Sequence, residues 1–599
     1  MNKLNEKQEK VANHKHGSCL CIAGAGSGKT HTLISRVAKL IDSGIKPKNI
    51  LLLTFTRKAA HEMIERAKKQ NKQSGKINAG TFHSFCLNSL KQYAKKELPN
   101  FTVISQYDAI NIIKLVREKY KTIKVKNNVI QLLFSRSINF QKPLETLLDE
   151  YTQEEQKIIL SIHQDFIQFK KEKILLDYDD LLIEFRTVLQ NSKIQKRIAK
   201  KYQYIMVDEY QDTNIIQSDI VKLLTPHGNI MVVGDDAQSI YGFRGACYQN
   251  IISFPDLFEN TEIIKLEENY RSIQKILELA NRIFISKYDK NLFSRKLHGE
   301  KPFFNALPND EEQTKYVVDN IQYYLSQGIP AKEIAVLYRV NFQANPIEEE
   351  LSQRGIQYNK IGGLSFIEKA HIKDVLAFFK IIYNIHDEIS WSRVLCLFNG
   401  VGINNAFKII DLIQEDNLDL TSISRIDHKV ISEFITWIKN AHTIHLDQLI
   451  ELIIEKYMTL CVENYANFEE RKEDLDFFTS LTKKYKTLES LIVGMALETE
   501  FSESNKKEEE NEIVLSTIHS AKGLEWKVVI IINVCEGSIP FYLCISHDEL
   551  EEEKRLLYVA VTRAKEHLHL TMAEQQTRSG YTFNNRPSRF LSGLKDFLK

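Results

Sequence analysis

Residues 23–30, with the sequence AGAGSGKT, join glycines to a lysine and a threonine directly after an apolar run. Alternate glycines let backbone N–H groups turn toward phosphates, a lysine can neutralise β- and γ-phosphate charge, and a threonine hydroxyl can ligate magnesium. Ala23 replaces the first glycine of the bare pattern, and a helical pattern, HTLISRVAKLI, follows. The segment therefore predicts a phosphate-binding loop between a strand and a helix. Its residues are Ala23, Gly24, Ala25, Gly26, Ser27, Gly28, Lys29 and Thr30.

Two neighbouring acids follow a second apolar run in YIMVDEYQDTN, residues 204–214. Asp208 can hold magnesium through a water, and Glu209 can polarise the water that attacks a phosphate. Taken alone, such a pair could equally be the N-cap of the next helix. Together with the phosphate-binding loop it predicts a nucleoside triphosphatase that uses Mg²⁺; the choice of ATP follows from the resemblance given below. A P-loop kinase, a transport ATPase and a helicase would all satisfy this pair.

The segment VVGDDAQSIYGFRGA, residues 232–246, places a polar side chain close to two aromatics and a cation. Gln238 is positioned to sense a γ-phosphate. Tyr241, Phe243 and Arg244 are suited to stacking on nucleic-acid bases. Two aromatics in a loop are also typical of core packing, so this segment alone leaves both interpretations open.

Seven short apolar runs, separated by amphipathic segments, must position these residues. Such alternation is typical of parallel α/β sheets. The runs fall within residues 1–90, 200–265, 330–340 and 510–572, whereas roughly 93–199 and 381–508 have helical composition. The simplest architecture is two α/β units, each interrupted by a helical insertion. The candidate strands are SCLCIAG, NILLLTFT, YIMVDE, NIMVVGDD, IAVLYRV, EIVLSTIH and VVIIINV.

Composition limits the class of protein. A chain of 599 residues exceeds what one core usually organises. Its 80 Lys+Arg and 78 Asp+Glu nearly cancel, so any basic track for nucleic acid must be local. The eight cysteines form no CxxC pair, which indicates a reducing cytoplasm and core roles for Cys19 and Cys21. The polar start and the short longest apolar run predict no signal peptide and no membrane partner.

GDDAQSIYGFRGA resembles the UvrD/Rep-like helicases of superfamily 1, and further motifs of that family follow in order between residues 4 and 568. The resemblance implies two RecA-like parallel-sheet motor domains, each carrying a mainly helical insertion. The implied first motor domain is 1–92 with 200–265, and its insertion is 93–199. The second is 266–380 with 509–599, and its shortened insertion is 381–508. The additional motifs are LNEKQEKVA, LTFTRKAAHEM, GTFHSFC, LEENYRS, STIHSAKGLEWKVVII and EEEKRLLYVAVTRAKEHL.

The resemblance also implies roles around the nucleotide. Gln8 would read the adenine and Tyr270 would stack on it, while Glu525 would contact the sugar side. Arg271 and Arg563 would reach the γ-phosphate from the second motor domain. Arginines donated across a cleft stabilise the transition state only when the cleft closes, and are worth roughly 10³–10⁵ in rate.

For DNA, the resemblance implies contacts from both motor domains and a duplex-splitting hairpin at 577–591, with Tyr581 or Phe583 as the wedge. An ordinary surface turn is the other interpretation of that hairpin. Phe243 replaces the family's usual tryptophan. The implied DNA contacts are Phe55, Arg57, His83, Tyr241, Phe243, Arg244 and His519.

The expected function is ATP-driven 3′→5′ unwinding of DNA, in repair or replication, on single strands and single/double-strand junctions. The shortened insertion leaves a second hypothesis open: a single-stranded DNA translocase that strips proteins and unwinds weakly as a monomer. Self-association or an accessory protein could act through that insertion.

Overall fold

The computed structural model describes residues 3–99, 101–121, 123–362, 369–416, 419–424, 426–461, 474–475, 478–479, 482, 485–496, 511–578 and 581–599. No helix in these ranges is long and apolar enough to cross a membrane. The strands are β1 Ser18–Ala23, β2 Ile50–Thr54, β3 Asn78–Thr81, β4 Thr102–Val103, β5 Leu175–Leu176, β6 Tyr204–Val207, β7 Ile230–Gly234, β8 Glu262–Leu266, β9 Phe303–Asn309, β10 Ile334–Tyr338, β11 Tyr358–Ile361, β12 Ile513–Thr517, β13 Trp526–Ile531, β14 Ala564–Arg578 and β15 Tyr581–Asn584.

The helices of four or more residues cover both faces of the sheets and the regions between them. They are α1 Glu6–Asn13, α2 Lys29–Asp42, α3 Arg57–Gln70, α4 Phe82–Tyr93, α5 Gln106–Arg117, α6 Asn127–Asn139, α7 Gln153–Glu172, α8 Tyr178–Gln190, α9 Ser192–Lys201, α10 Ile215–Leu224, α11 Gln249–Ile252, α12 Phe254–Leu257, α13 Gln274–Ile283, α14 Asp310–Ser326, α15 Asn345–Gln353, α16 Ala370–Tyr383, α17 Glu388–Leu395, α18 Ile403–Gln414, α19 His428–Ala441, α20 Leu446–Cys461, α21 Leu488–Ala496 and α22 His547–Val561.

The first sheet has six parallel strands in the order β3-β2-β6-β7-β1-β8. Its central strands are buried on both faces, which explains why they are continuous apolar runs rather than alternating ones. Cys19 and Cys21 lie within this core, as their sequence pattern predicts. Ligands of parallel sheets bind beyond the carboxyl ends of the strands. Here those ends lead into the phosphate-binding loop, Asp208 and Phe55.

The second sheet has the order β11-β12-β10-β13-β14-β15, and β9 pairs with β14. Every pair is parallel except β14 with β15. One face packs against α13 and α22, and the other against α14 and α15. The predicted fold class, two parallel α/β units, is confirmed.

Two helical groups interrupt these units. Helices α5 to α8, with the small sheet of β4 and β5, separate β3 from β6, and much of this group packs around its own core. Helices α16 to α21 lie between β11 and β12 and have a separate core. The two groups touch each other, because Tyr107 packs between Lys373 and Arg393 at 4.8 and 4.5 Å from its ring centre. Lys380 adds an ion pair with Asp108 at 3.3 Å.

Candidate active site and nucleic-acid interface

The phosphate-binding loop follows β1, and α2 starts at Lys29. Gly26 and Gly28 have φ of +65° and +79°, a left-handed conformation that favours glycine. Space is a second reason for glycine at position 26, because a Cβ there would lie 2.7 Å from the Cβ of Arg271 and from the Asn269 amide. The loop is therefore shaped by the segment that faces it.

Surrounding residues hold the carbonyl oxygens of this loop. The Asn269 side-chain amide donates to the Ala25 oxygen at 2.6 Å, and the Tyr270 backbone N–H donates to the Gly26 oxygen at 3.0 Å. Gln8 Nε2 donates to the Ser27 oxygen at 3.0 Å. Within the described chain, the N–H groups of Ala25, Gly26 and Gly28 have no hydrogen-bond acceptor. A row of backbone donors without acceptors suits the oxygens of a polyphosphate.

Asp208 and Glu209 directly follow β6, as expected for an acid pair at the end of a strand. Lys29 Nζ lies 3.3 Å from Glu209 Oε1. Asp208 is buried, and its Oδ1 has no hydrogen-bond partner. Glu209 has φ of +52°, a strained backbone for a residue with a side chain.

The two acids differ in their electrostatics. Burial and the Glu209 charge raise the pKa of Asp208 above its ordinary value. Burial also acts to raise the pKa of Glu209, but Lys29 and Lys522 outweigh it and hold that pKa well below the usual range. Asp208 therefore gains from a cation beside it, and its unpartnered oxygen fits magnesium, with the Thr30 hydroxyl as a second oxygen donor at the start of α2.

Gln238 is buried behind the loop and is fixed by its neighbour. Its Nε2 donates to Asp235 Oδ2 at 2.6 Å. Lys290 pairs with both Asp235 and Asp236, and this cluster is entirely buried. Burial raises the pKa of Asp235, but Lys290 outweighs burial and lowers it.

Arg271 packs against the loop, and Arg563 directly follows Thr562, whose backbone oxygen Arg271 binds. Arg271 Nε donates to Glu525 Oε2 at 2.5 Å, and its Nη1 donates to the Thr562 oxygen at 3.1 Å. Arg563 is buried and donates to the oxygens of Val559 and Leu524. Burial, together with the Arg271 guanidinium, lowers the pKa of Arg563 to about 9. The charged form of the buried Arg563 would be stabilised by an added anion.

Tyr270 has 45% of its surface exposed, and its hydroxyl donates to Glu268 at 3.0 Å. An exposed ring beside the loop is available for stacking. Gln8, in contrast, is buried, and both ends of its amide are used: Nε2 by Ser27, and Oε1 by the Asn5 backbone N–H at 3.0 Å. Contact of Gln8 with an adenine remains a prediction.

Five of the seven predicted DNA contacts form one cluster. The Phe55 and Tyr241 rings are stacked, with centres 5.4 Å apart and planes 9° apart. Phe243 meets the His519 ring edge-on at 5.4 Å and is 45% exposed. Arg244 lies 5.6 and 5.5 Å from the ring centres of Tyr241 and Phe243. Burial and the nearby Arg339 lower the pKa of His519 to about 3, so this ring is neutral.

The other two predicted contacts have protein partners. Arg57 Nη1 donates to the Gly494 carbonyl oxygen at 2.7 Å, which joins α3 to α21 of the second helical group. His83 packs edge-on against Tyr178 at 5.8 Å, and burial lowers its pKa to about 4. Neither belongs to the aromatic cluster, so their DNA contacts remain predictions.

Family models match nearly the whole chain. The model of the UvrD/REP helicase N-terminal domain matches residues 4–259, and that of the UvrD-like helicase C-terminal domain matches 264–575. The chain belongs to the UvrD/REP helicase family. It is 32% identical over 638 residues to the ATP-dependent DNA helicase PcrA of Staphylococcus aureus strain Mu50, covering 100% of this chain and 87% of that protein. The PcrA of Staphylococcus epidermidis strain ATCC 12228 is 32% identical over 635 residues, covering 99% and 87%.

Three residues that bridge the two sheets of this UvrD/REP helicase were not singled out by sequence. Asn269 anchors the phosphate-binding loop, and Lys522 Nζ donates to Asp212 Oδ2 at 2.5 Å and to the Gln238 oxygen at 2.7 Å. Both lie inside quoted motifs, LEENYRS and STIHSAKGLEWKVVII, so their position was a usable signal. Lys290, in the segment KYDKN, carries no such signal.

The predicted hairpin near the end is present in the described residues as antiparallel pairing of β14 with β15. A short 3-10 turn, Arg589–Leu591, follows it. Phe583 has 52% of its surface exposed. The Tyr581 side chain lies outside the described residues. The wedge role in this helicase remains a prediction.

Proposed function

We propose that this chain is an ATP-dependent 3′→5′ DNA helicase that translocates on single-stranded DNA and unwinds duplexes. The observation that supports this most strongly is the position of Arg271 and Arg563. Both come from the segment of the chain matched by the C-terminal family model, and Arg271 packs on the loop of the N-terminal one. Hydrolysis is then favoured only when the two sheets close on the nucleotide.

In this proposal, the side chains around the loop divide the work of ATP hydrolysis. Lys29 and the loop N–H groups bind the β- and γ-phosphates, and Glu209 orients and polarises the attacking water. Asp208 and Thr30 would hold Mg²⁺, which when bound supplies positive charge against the phosphate oxygens. Gln238, held by Asp235, contacts the γ-phosphate.

The proposed coupling to DNA runs through a short segment. Gln238 and Tyr241 are three residues apart. Lys522 Nζ donates to the backbone carbonyl oxygen of Gln238 and lies 5.0 Å from the Tyr241 ring centre. A change at the γ-phosphate therefore reaches the stacked rings within one loop. Stacking on an aromatic is worth about 1–3 kcal/mol per base. Separating a duplex step costs about 1.4 kcal/mol on average. One or two such platforms suffice to hold a melted base.

We assign the motor domains as 1–92 with 200–265, and 266–380 with 509–599. The insertions are then 93–199 and 381–508. Work on DNA in repair or replication, within the cytoplasm and on single/double-strand junctions, is part of the same proposal, as is self-association or accessory-protein binding through the second insertion.

Strand displacement on duplexes with either a 3′ or a 5′ single-stranded tail tests this function. We expect ATP-dependent unwinding of the 3′-tailed duplex, with Lys29→Ala as the inactive control. Preferential unwinding of the 5′-tailed duplex would refute the 3′→5′ polarity. ATP hydrolysis that does not depend on DNA would refute the proposal that this chain is a DNA motor.

The shortened second insertion, 381–508, favours a second candidate, a translocase that strips proteins from single-stranded DNA and unwinds weakly. DNA-stimulated hydrolysis and removal of a bound protein, without strand displacement by the monomer, would support this candidate. Repeating the tailed-duplex assay at increasing protein concentration separates it from a helicase that needs self-association.

A further inference from the structure

A basic groove lies at the amino ends of the strands of the first sheet, whereas the candidate nucleotide site lies at their carboxyl ends. It is an open pocket of about 510 Å³ between the amino ends of β2 and β6. Lys46 and Lys48 line one wall, and Arg197, Lys200 and Lys201 of α9 line the other. The two strands run four or five residues before reaching Phe55 and Asp208, about 15 Å away at roughly 3.3 Å per residue. The groove is therefore separate from the ATP site and the aromatic cluster.

Within the part of the chain that the structure describes, the cations of this groove have no acidic partner. Among the described residues, no carboxylate forms an ion pair with any of the five, and no acid lines the pocket. This contrasts with a chain whose total charge is only +2. Like charges held together in a concave surface repel each other, and they attract an anion strongly.

Helix α9 is built to present these charges. Its cations recur at positions 193, 196, 197, 200 and 201, which is the i, i+3, i+4 spacing of one helix face. Ile198 and Ala199 are buried on the other side. The Arg197 side chain packs over the Tyr93 ring at 5.4 Å, and that of Lys201 over Tyr202 at 4.7 Å, so the stems are supported. The stripe is about 12 Å long at 1.5 Å per residue.

From this arrangement we infer that the groove binds the phosphate backbone of single-stranded DNA outside the motor cleft. Its lining offers cations and amides but no aromatic ring for a base, which suits a phosphate backbone. Recognition is thus electrostatic and independent of base sequence. The inference rests on the proposed function, because single-stranded DNA is the polyanion on which the proposed motor acts.

The test uses the full chain and fluorescein-labelled oligothymidylate, with affinity measured at several KCl concentrations. The variant Lys48→Gln/Lys200→Gln removes one cation from each wall. Each lost phosphate contact on a single strand lowers the slope of log affinity against log salt by about 0.7, so we expect a decrease of about 1.4. The matched control is Lys315→Gln/Lys595→Gln, two exposed lysines associated with the second sheet, which should leave the slope unchanged.

Two further measurements make the result decisive. Lys48→Arg/Lys200→Arg should retain the wild-type slope if charge alone matters, and equal melting temperatures exclude misfolding. A short oligothymidylate that fills only the motor cleft should stimulate ATP hydrolysis equally in all variants. If DNA stimulates ATP hydrolysis normally but the salt slope of Lys48→Gln/Lys200→Gln equals that of the wild type, the groove does not bind DNA, and the proposed function stands. Absence of stimulation in the wild type overturns the proposed function.

Discussion

At the residue scale, neighbouring carboxylates after β6 are tuned in opposite directions by their surroundings. Asp208 is buried with one oxygen unpartnered, which disfavours its charged form, whereas Glu209 faces Lys29. Such divergence suits one carboxylate for a cation and the other for a water molecule. The pKa of Asp212 is likewise set by its surroundings, because this carboxyl is buried beside Lys522.

Replacing Lys29 by alanine removes the cation between the loop and Glu209. We expect the turnover of ATP to fall by at least about 10²–10³, the size of effect seen when one preorganised electrostatic group is lost. Single-stranded DNA binding should persist, because the aromatic cluster does not include Lys29. Phosphate release and anisotropy on the same preparation measure both, and turnover at the wild-type rate would refute the assigned site.

The pH dependence of stability gives a test of Asp212. Burial raises its pKa to about 6, although Lys522 opposes this. Between about pH 4 and about pH 6, the Asp212 carboxyl therefore keeps its proton in the folded state, whereas in the unfolded chain, with a pKa of about 3.9, it has lost it. Between about pH 4 and about pH 6 this contribution to the free energy of unfolding decreases as the pH rises.

Asp212→Asn cannot ionise, so it should lack that contribution. We expect the melting temperature of the wild type, relative to this variant, to fall between about pH 4 and about pH 6. Other buried acids are common to both proteins and cancel in the comparison. A difference that stays constant or rises with pH would contradict the assignment.

At the element scale, burial decides which parts of the fold were visible in the sequence. Strands β1, β2 and β7 are buried on both faces and appear as nearly continuous apolar runs. The partly exposed β9 and β11 have mixed sequences, FFNALPN and YNKI, and were not predicted. Their strand conformation depends on pairing with β14 and β12, residues far away in sequence.

The candidate site divides in the same way. Lys29, Asp208 and Gln238 sit in compact motifs, so local sequence was sufficient to propose them. The contact of Asn269 with the Ala25 oxygen spans 244 residues, and that of Lys522 with Asp212 spans 310. The motifs that contain Asn269 and Lys522 mark their positions, but hydrogen bonds over such separations are a property of the packed sheets, so local sequence does not identify their partners.

The loop after β2 gives a prediction for DNA affinity. Phe55→Ala should weaken binding of single-stranded DNA by about 1–3 kcal/mol, or about 5- to 150-fold, through loss of a stacking surface. In the free protein Phe55 also contacts the Tyr241 ring, a contact worth about 0.5–1.5 kcal/mol. Because this contact competes with stacking on a base, we expect the loss of DNA affinity to lie in the lower part of that range.

Anisotropy with oligothymidylate measures this change. Tyr323→Ala, which removes a 56% exposed ring on α14, is the control. Phe243→Trp should strengthen binding, because a larger ring enlarges the stacking face. Unchanged affinity in Phe55→Ala would exclude the aromatic cluster from the DNA path.

At the scale of the whole molecule, Lys522 connects the two sheets through a buried ion pair. Lys522→Met leaves the Asp212 carboxylate buried without its partner, and breaking such a pair costs about 3–5 kcal/mol. We expect a lower melting temperature and loss of DNA stimulation of ATP hydrolysis. The two effects have different causes: the unpaired Asp212 charge lowers stability, and the lost contact with the Gln238 backbone oxygen removes the coupling.

The double variant Lys522→Met/Asp212→Asn separates stability from coupling. It should recover much of the melting temperature, because no uncompensated charge remains buried, while DNA stimulation stays low. Recovery of stimulation together with stability would show that Lys522 serves structure alone.

The stacked pair of Phe55 and Tyr241 also has a pharmacological consequence. The two rings lie nearly parallel where a base is expected, so each occupies the other's binding face. A flat aromatic drug that inserts between them would need to overcome only about 0.5–1.5 kcal/mol of ring contact. Such a compound would compete with the nucleic acid and leave the ATP pocket untouched, a route to inhibition that avoids a pocket type shared by many P-loop enzymes.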